Sequence, residues 1–324
     1  NYLQDATTQI CGSFHPSNPN KFITGNELGH LVIIDIQNIK KLCQASYRHN
    51  KIVTDIKFSF DGIQMFSVSG DKSIVVSDFE SNKVVSRIER AHESTIECIS
   101  IVHEKHSIFS TGGRDGKIKV WDARLNCTKN TLCSISVFSD VISKENNRKR
   151  TQRARKPPLA IVSKIHFLFD DLNVLVSSSQ TDPYFYLWDF RKINGANISC
   201  GISSPLTKGV YKGPSKMLNI GYTCLGSDQN HLYVGCVDNR IYCYEINKLY
   251  HGVYSKFDKF NEPDNLSIPE GGKRQAYFAN FDISHDKQYL ATGMFHDGIY
   301  IWNLSNKTKP VAFLKNYSRS YITF

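Results

Sequence analysis

The sequence predicts an all-β propeller built from repeated four-stranded blades. Three observations predict it. An apolar strand, a turn of small residues, an acid and a second apolar strand recur along the chain, with the second strand ending at Trp-Asp or its equivalent. The residue after the Trp position falls at Asp35, Asp78, Asp122, Asp189, Glu245 and Asn303, at intervals of 43, 44, 67, 56 and 58 residues. Blade repeats of this kind run about 40–45 residues. The composition also suits strands: 16 Tyr and 19 Phe stand against three Met in 324 residues, and aromatic side chains fit a pleated, half-buried surface.

The repeats can be taken in order. The first runs from Phe22 to Asp35 and the second from Phe66 to Asp78. The third is the clearest: Ile108-Phe109-Ser110-Thr111-Gly112-Gly113, then Arg114-Asp115-Gly116, then Lys117-Ile118-Lys119-Val120-Trp121-Asp122. The fourth runs from Leu175 to Asp189, the fifth from Tyr233 to Glu245, and the sixth from Leu290 to Asn303. The last three intervals call for loop insertions of ~12–25 residues over the usual repeat. After Asn303, Val311-Ala312-Phe313-Leu314 reads as an outer strand and Tyr321-Ile322-Thr323-Phe324 as the first inner strand of another blade. The expectation is a single domain over residues 1–324. It is a WD-repeat propeller of seven-bladed type with six blades visible and a seventh begun but incomplete, at about 310–324.

The acid before the second strand stands six residues before the Trp position in four copies, at Asp71, Asp115, Asp182 and Asp238; Asp297 precedes Trp302 in the sixth. In WD repeats this Asp accepts from a His of the preceding loop, and a Ser or Thr and the Trp complete the set. His92, Thr111, Asp115 and Trp121 fill all four places. His49, Ser67 and Asp71 fill three, with Ser77 in place of the Trp; Ser178 and Trp188 are assigned with Asp182. A satisfied buried polar network fixes one packing arrangement, so these His and Asp residues are expected to be structural corners rather than a catalytic dyad.

The 67-residue interval holds a basic insertion, at about 136–160. Six of the nine residues from Arg148 to Lys156 are basic: Arg148, Lys149, Arg150, Arg153, Arg155 and Lys156. Such charge density belongs to a solvated loop. It reads as a nuclear localisation signal, a nucleic-acid contact or a solubilising loop. No aromatic residues interleave it, which weakens the base-stacking mode and leaves salt-sensitive phosphate contact. The loop also supplies much of the net charge of +10.

Other classes are set aside. No apolar run approaches the ~18 residues of a membrane span, and no amino-terminal signal pattern is seen. The nine cysteines show no Cys-x-x-Cys spacing, so neither a disulfide framework nor a metal site is expected; reduced, mostly buried thiols of an intracellular protein are. His103-x-x-His106 lies with Glu104 and Lys105 and reads as solvated surface. No cofactor is implied, and no nucleophile motif or phosphate-binding loop argues for an enzyme.

Two repeats continue past Trp-Asp to a basic residue: Trp121-Asp122-Ala123-Arg124 and Trp188-Asp189-Phe190-Arg191. Each resembles the extended box of WD-repeat substrate receptors of cullin-4 RING ubiquitin ligases. The order of features is similar to the denticleless-type receptors. It comprises the third repeat through Arg124, the basic insertion and Trp188 to Lys192. Gly221-Tyr222, then Asp238-Asn239-Arg240-Ile241-Tyr242, and Tyr289-Leu290 through Trp302 complete it. The first two repeats are the least similar, with Ser77 where an aromatic is usual and Glu27 where Asp is; the loop from Asn261 to Gly272 also departs.

The resemblance implies a non-catalytic nuclear subunit acting in the cell cycle, DNA replication and the DNA-damage response. Arg124 and Arg191, with Asp122 and Asp189, would face the ligase adaptor; another face would take substrates that carry a degron, among them sliding-clamp-associated proteins. The alternative expectation is a general nuclear scaffold in chromatin or RNA-processing complexes. Pairing of each Arg with an acid of its own blade stands as the alternative for the boxes.

Overall fold

A computed structural model describes residues 8–38, 43–102, 107–124, 131–136, 161–168, 173–179, 184–189, 207–210, 221–236, 240–250, 264–267, 280–284, 286–294, 298–306 and 309–315. Among them the chain forms six four-stranded antiparallel sheets, each in simple meander order. This is the blade pattern of a WD-repeat β-propeller.

Blade 1 comprises β1 (Gln9–Phe14), β2 (Lys21–Asn26), β3 (Leu31–Asp35) and β4 (Cys43–Gln44). Blade 2 comprises β5 (Val53–Phe58), β6 (Gln64–Ser69), β7 (Ile74–Asp78) and β8 (Lys83–Ile88). Blade 3 comprises β9 (Ile96–Ile101), β10 (Ile108–Gly113), β11 (Lys117–Asp122) and β12 (Thr131–Ser136). These three blades make one compact unit.

The last three blades make a second unit. Blade 4 comprises β13 (Lys164–Phe167), β14 (Val174–Ser178), β15 (Tyr184–Asp189) and β16 (Thr207–Val210). Blade 5 comprises β17 (Tyr222–Ser227), β18 (His231–Cys236), β19 (Arg240–Glu245) and β20 (Asp264–Ser267). A one-turn helix, α1 (Ile246–Tyr250), follows β19 and buries Ile246 and Leu249. Blade 6 comprises β21 (Phe281–Ile283), β22 (Tyr289–Met294), β23 (Gly298–Asn303) and β24 (Ala312–Lys315).

All six expected strand–turn–strand copies are thus the second and third strands of a blade. The outer strand expected at Val311–Leu314 is β24. Residues 137–160 of the basic insertion, with Arg148, Lys149, Arg150, Arg153, Arg155 and Lys156, lie outside the described residues, as do His103 to His106 and Tyr321 to Phe324.

The middle strands are buried on both faces because blades stack on each other. Ile23 and Leu31 of blade 1 pack with Val53, Ile56 and Met65 of blade 2. Phe66, Val68, Ile74 and Val76 of blade 2 meet Ile96, Ile99, Phe109 and Trp121 of blade 3. In the second unit, Phe185 and Leu187 meet Tyr222, Val234 and Tyr244, and Tyr233 and Ile241 meet Leu290 and Trp302. Fully burying one such side chain stabilises by roughly 1.5–3 kcal/mol.

Polar groups also tie blade 2 to blade 3. Asp55 is buried; one carboxylate oxygen accepts the Ile56 N–H at 2.9 Å and the other the Ile99 N–H of the next blade at 3.1 Å. Thr54 Oγ1 donates to the Ile96 carbonyl at 2.6 Å. Backbones approach closely where blade 1 turns toward blade 2. Gly29 sits at φ +87°, donates nothing from a side chain, and accepts the His49 N–H at 2.9 Å. A Cβ there would strike the His49 carbonyl oxygen.

Cys98, Cys224, Cys236 and Cys243 are buried, and none of them is paired in a disulfide. They fill the core as small apolar groups with weak donors; Cys224 Sγ, for example, lies 3.2 Å from the Phe281 carbonyl.

Candidate functional site

Each blade has two ends, because its strands run antiparallel. One is the end of the turn between the second and third strands, where blades 2 and 3 place Asp71 and Asp115. The other carries the residues just past Trp-Asp.

At the first end, blade 3 builds the full expected set. Trp121 Nε1 donates to Thr111 Oγ1 at 2.8 Å. Thr111 Oγ1 lies 2.8 Å from His92 Nε2, and His92 Nδ1 lies 3.0 Å from both Asp115 oxygens. Asp115 is a carboxylate and can only accept, so in the neutral ring Nδ1 donates and Nε2 accepts the Thr111 hydroxyl hydrogen, while the Thr111 oxygen accepts from the indole. The imidazole proton then stands on Nδ1 and points at Asp115. The electrostatics agree. Burial pushes His92 below its ordinary value and so keeps it neutral. Burial would raise Asp115, but the His92 hydrogen bond and the N–H groups of Glu93 and Lys117 outweigh it and hold the carboxyl below its ordinary value. The His92 ring is buried and both of its nitrogens are taken up by hydrogen bonds within the blade. It is a corner brace.

Blade 2 uses more groups than the sequence indicated. His49 Nε2 meets Ser67 Oγ at 2.9 Å, as expected. His49 Nδ1 lies 2.9 Å from Ser73 Oγ and 3.4 Å from Asp71, and Ser73 Oγ donates to Asp71 Oδ1 at 2.6 Å. Ser77 stands at the Trp position, and Tyr47 from the preceding connection fills the space. Its hydroxyl is 3.0 Å from Ser67 Oγ and accepts from Ser77 Oγ at 3.4 Å. Burial opposes ionisation of Asp71, yet the bonds from His49, Ser73 and Asn50 hold its carboxyl well below the ordinary range.

In blade 1 the place of the acid is taken one residue earlier. Asn26 Oδ1 accepts from the N–H groups of Leu28 at 3.0 Å and His30 at 2.9 Å. Glu27 turns outward to the Thr8 N–H at 3.3 Å.

Blade 4 corrects one assignment. Trp188 Nε1 donates to Ser177 Oγ at 2.8 Å, not to Ser178. The register explains it: Leu175 pairs with Trp188 and Ser177 with Tyr186, whereas in blade 3 Phe109 pairs with Trp121 and Thr111 with Lys119. Side chains two residues apart share a face. The hairpin of blade 4 is one residue longer, so counting back ten from the Trp lands on the wrong serine. In blade 6 Trp302 is buried, but its indole N–H has no acceptor among the described residues. The equivalent hydroxyl, Thr292 Oγ1, donates instead to the Asn280 carbonyl at 3.2 Å. Asp182, Asp238 and Asp297 lie outside the described residues.

At the other end, Asp122 is buried and Arg124 is exposed over 72% of its side chain. The pair is two-pronged. Arg124 Nε donates to Asp122 Oδ1 at 3.0 Å, Nη2 donates to Oδ2 at 2.6 Å, and the Arg124 N–H adds a third bond to Oδ1 at 3.0 Å. The guanidinium holds Asp122 below the usual carboxylate range, and the carboxylate in turn raises Arg124. Such a fork fixes orientation. Nη1 has no partner among the described residues. The intra-blade pairing is therefore present, and it aims an exposed guanidinium rather than hiding it. Asp189 of blade 4 is buried like Asp122; Arg191 lies outside the described residues. No group of three metal-binding side chains occurs among the described residues.

Known proteins share this pattern. The family model described as WD domain, G-beta repeat, matches residues 41–78 and 83–122. The chain is 24% identical over 311 residues to the Denticleless protein homolog of Danio rerio, covering 93% of this chain and 45% of that protein. Against the Denticleless protein homolog of Homo sapiens it is 22% identical over 318 residues, covering 94% and 41%. Against Protein lethal(2)denticleless of Drosophila melanogaster it is 24% identical over 342 residues, covering 97% and 42%. The chain spans less than half the length of these relatives.

Proposed function

We propose that this chain, a WD-repeat protein of the denticleless type, is the substrate-recognition part of a cullin-4 RING ubiquitin ligase. WD repeats serve as interaction modules, and the His and Asp groups of the described corners in blades 2 and 3 are engaged in hydrogen bonds within their own blades. The observation that carries the reading is Arg124. A buried acid at the end of β11 grips it in a fixed, exposed pose, as the resemblance to the ligase receptors expects of an adaptor-docking residue. Arg191 is assigned the same role from the matching motif in blade 4. The receptor transfers no ubiquitin itself; it raises the effective concentration of substrate beside the catalytic partner. Substrates carrying a degron, including sliding-clamp-associated proteins, would be taken elsewhere on the chain, in the nucleus.

The test is capture of the cullin-4 adaptor by the whole protein, repeated with Arg124→Ala and Arg191→Ala together. Adaptor bound by the wild type and lost in the double variant is the expected result. No adaptor with the wild type rejects the reading and favours a nuclear scaffold. Adaptor retained by the double variant keeps the ligase role but removes these two residues from it.

A further inference from the structure

We propose that the outer edge of blade 6, strand β24, takes up an extended peptide of a partner protein as a fifth strand, and that this peptide is apolar in its middle and acidic at its ends. The inference does not depend on the role given to Arg124.

Strand β24 ends its sheet and pairs with β23 on one side only. The free side of such a strand is a row of main-chain donors and acceptors that can pair with another chain. All four residues of β24 are exposed, and so is Val311 before them. Val311 is 57% exposed, Phe313 44% and Leu314 54%. The edge is also regular. From Gly298↔Lys315 to Ile301↔Ala312 its pairing with β23 runs without a bulge, and the Phe313 ring lies 4.6 Å from that of Tyr300. Strand β8, the outer strand of blade 2, shows how a similar edge is closed. It too exposes apolar residues, Val84 and Val85. A bulge, however, breaks its pairing with β7 between Val76 and Ser77. Asn82 before it is tied to blade 1, accepting the Ser46 N–H at 3.1 Å and donating to the Gln44 carbonyl at 3.2 Å. Near its end Arg87 donates to Glu89 at 2.6 Å, so charges of both signs stand there. Bulges and charges are the usual guards against strand pairing. Strand β24 has no bulge and no acid.

Charge selects the occupant. Residues 298–324 include four cations and no acid. Two of the cations, Lys309 and Lys315, are exposed and bracket the apolar residues 311–314. A second copy of this strand would bring the same cations toward its own, and like charges oppose pairing. A peptide with acidic ends meets both lysines instead. In strand addition the main-chain bonds supply affinity and the side chains supply choice, and complementary charge steers the encounter. Four residues make a short template, so the flanking lysines are what give the edge its preference.

The experiment uses the full-length protein and a labelled synthetic peptide that alternates valine and threonine between two glutamates at each end. Binding is read by fluorescence anisotropy. A twin peptide with lysines for the glutamates should bind at least about tenfold more weakly at about 0.1 M salt, and the gap should narrow at about 0.5 M. Lys309→Glu with Lys315→Glu should invert that preference. Its melting temperature should stay that of the wild type, because both side chains are exposed. Methylating the peptide amides along one edge should abolish binding and along the other should not, because a strand joins a sheet by one edge. No binding of the acidic peptide overturns the inference. So does binding that ignores the lysine reversal, or ignores methylation on both edges. A concentration-dependent dimer lost in Leu314→Asp would put a second copy on the edge. Slow deuterium exchange at every amide of residues 312–315 without peptide would put another segment of the protein there. Either result overturns the inference.

Discussion

The hydroxyl of Tyr47 stands 3.0 Å from Ser67 Oγ, in the place that the Trp121 indole N–H takes beside Thr111. A residue from the preceding connection thus restores a network whose usual Trp is Ser77. Tyr47→Phe removes the bond and leaves the two serine hydroxyls short of a partner. It should cost about 1–1.5 kcal/mol, read as a lower denaturant midpoint with an unchanged slope. No loss would mean that Tyr47 acts by packing alone.

Trp121 and Trp302 make an internal comparison. Trp121 donates to Thr111, whereas Trp302 is equally buried with no acceptor among the described residues. An unpaired buried donor carries its desolvation cost in the wild type already. Trp302→Phe should therefore be milder than Trp121→Phe by about 1–2 kcal/mol. Equal losses in thermal melts would contradict the difference.

Stability should fall with acid in two stages. Burial holds His92 below its ordinary value, so it is neutral when folded. Only the unfolded chain takes up its proton as pH drops through about 6.5. Asp71, Asp115 and Asp228 are also held low, Asp228 at about 2, because hydrogen bonds outweigh the burial that would raise them. Their contribution is complete above the unfolded carboxylate value of about 3.9 and is lost as pH falls toward their folded values. Denaturant titrations at pH 8, 6 and 4 should show a decline across the whole series. A flat profile between pH 8 and 5 would rule out the His92 stage.

Lys287 occupies a glycine conformation. Its φ is +58°, and its N–H reaches the Ser284 carbonyl at 2.9 Å; Gly62, at φ +75°, makes the same bond to Ser59 at 2.9 Å in blade 2. A side chain in the left-handed region costs about 1–2 kcal/mol, while glycine adopts it freely at some entropic cost. Lys287→Gly should raise stability by up to about 1 kcal/mol. Gly62→Lys should lower it by more, because a Cβ there meets the His15 ring.

The repeated frame was readable because an acid in a tight turn between two apolar strands leaves a periodic mark. All six strand pairs and the outer strand after Asn303 appear where that mark places them. His92, Thr111, Asp115 and Trp121 were equally readable, since each has a fixed offset in the repeat. Ser177 was missed because hairpin length changed the offset by one, and only the pleat register tells which serine faces Trp188. Tyr47 was missed because it lies in a connection with no fixed spacing. Its one visible trace is Ser77, a small residue that would leave a void in place of the usual Trp. The Arg124–Asp122 fork was foreseeable as the alternative to an exposed Arg; that the two coexist depends on side-chain geometry, which spacing does not carry.

Asp55 has a consequence for how the first unit comes apart. Its carboxylate holds an amide hydrogen in blade 2 and another in blade 3, and Thr54 adds a second tie to Ile96. Neither blade can fray alone without stranding a buried charge. The two are therefore coupled as one cooperative foldon, and the amides of Ile56 and Ile99 should exchange with deuterium at a common, slow rate. Repeats that look modular in sequence are in this place welded pairwise.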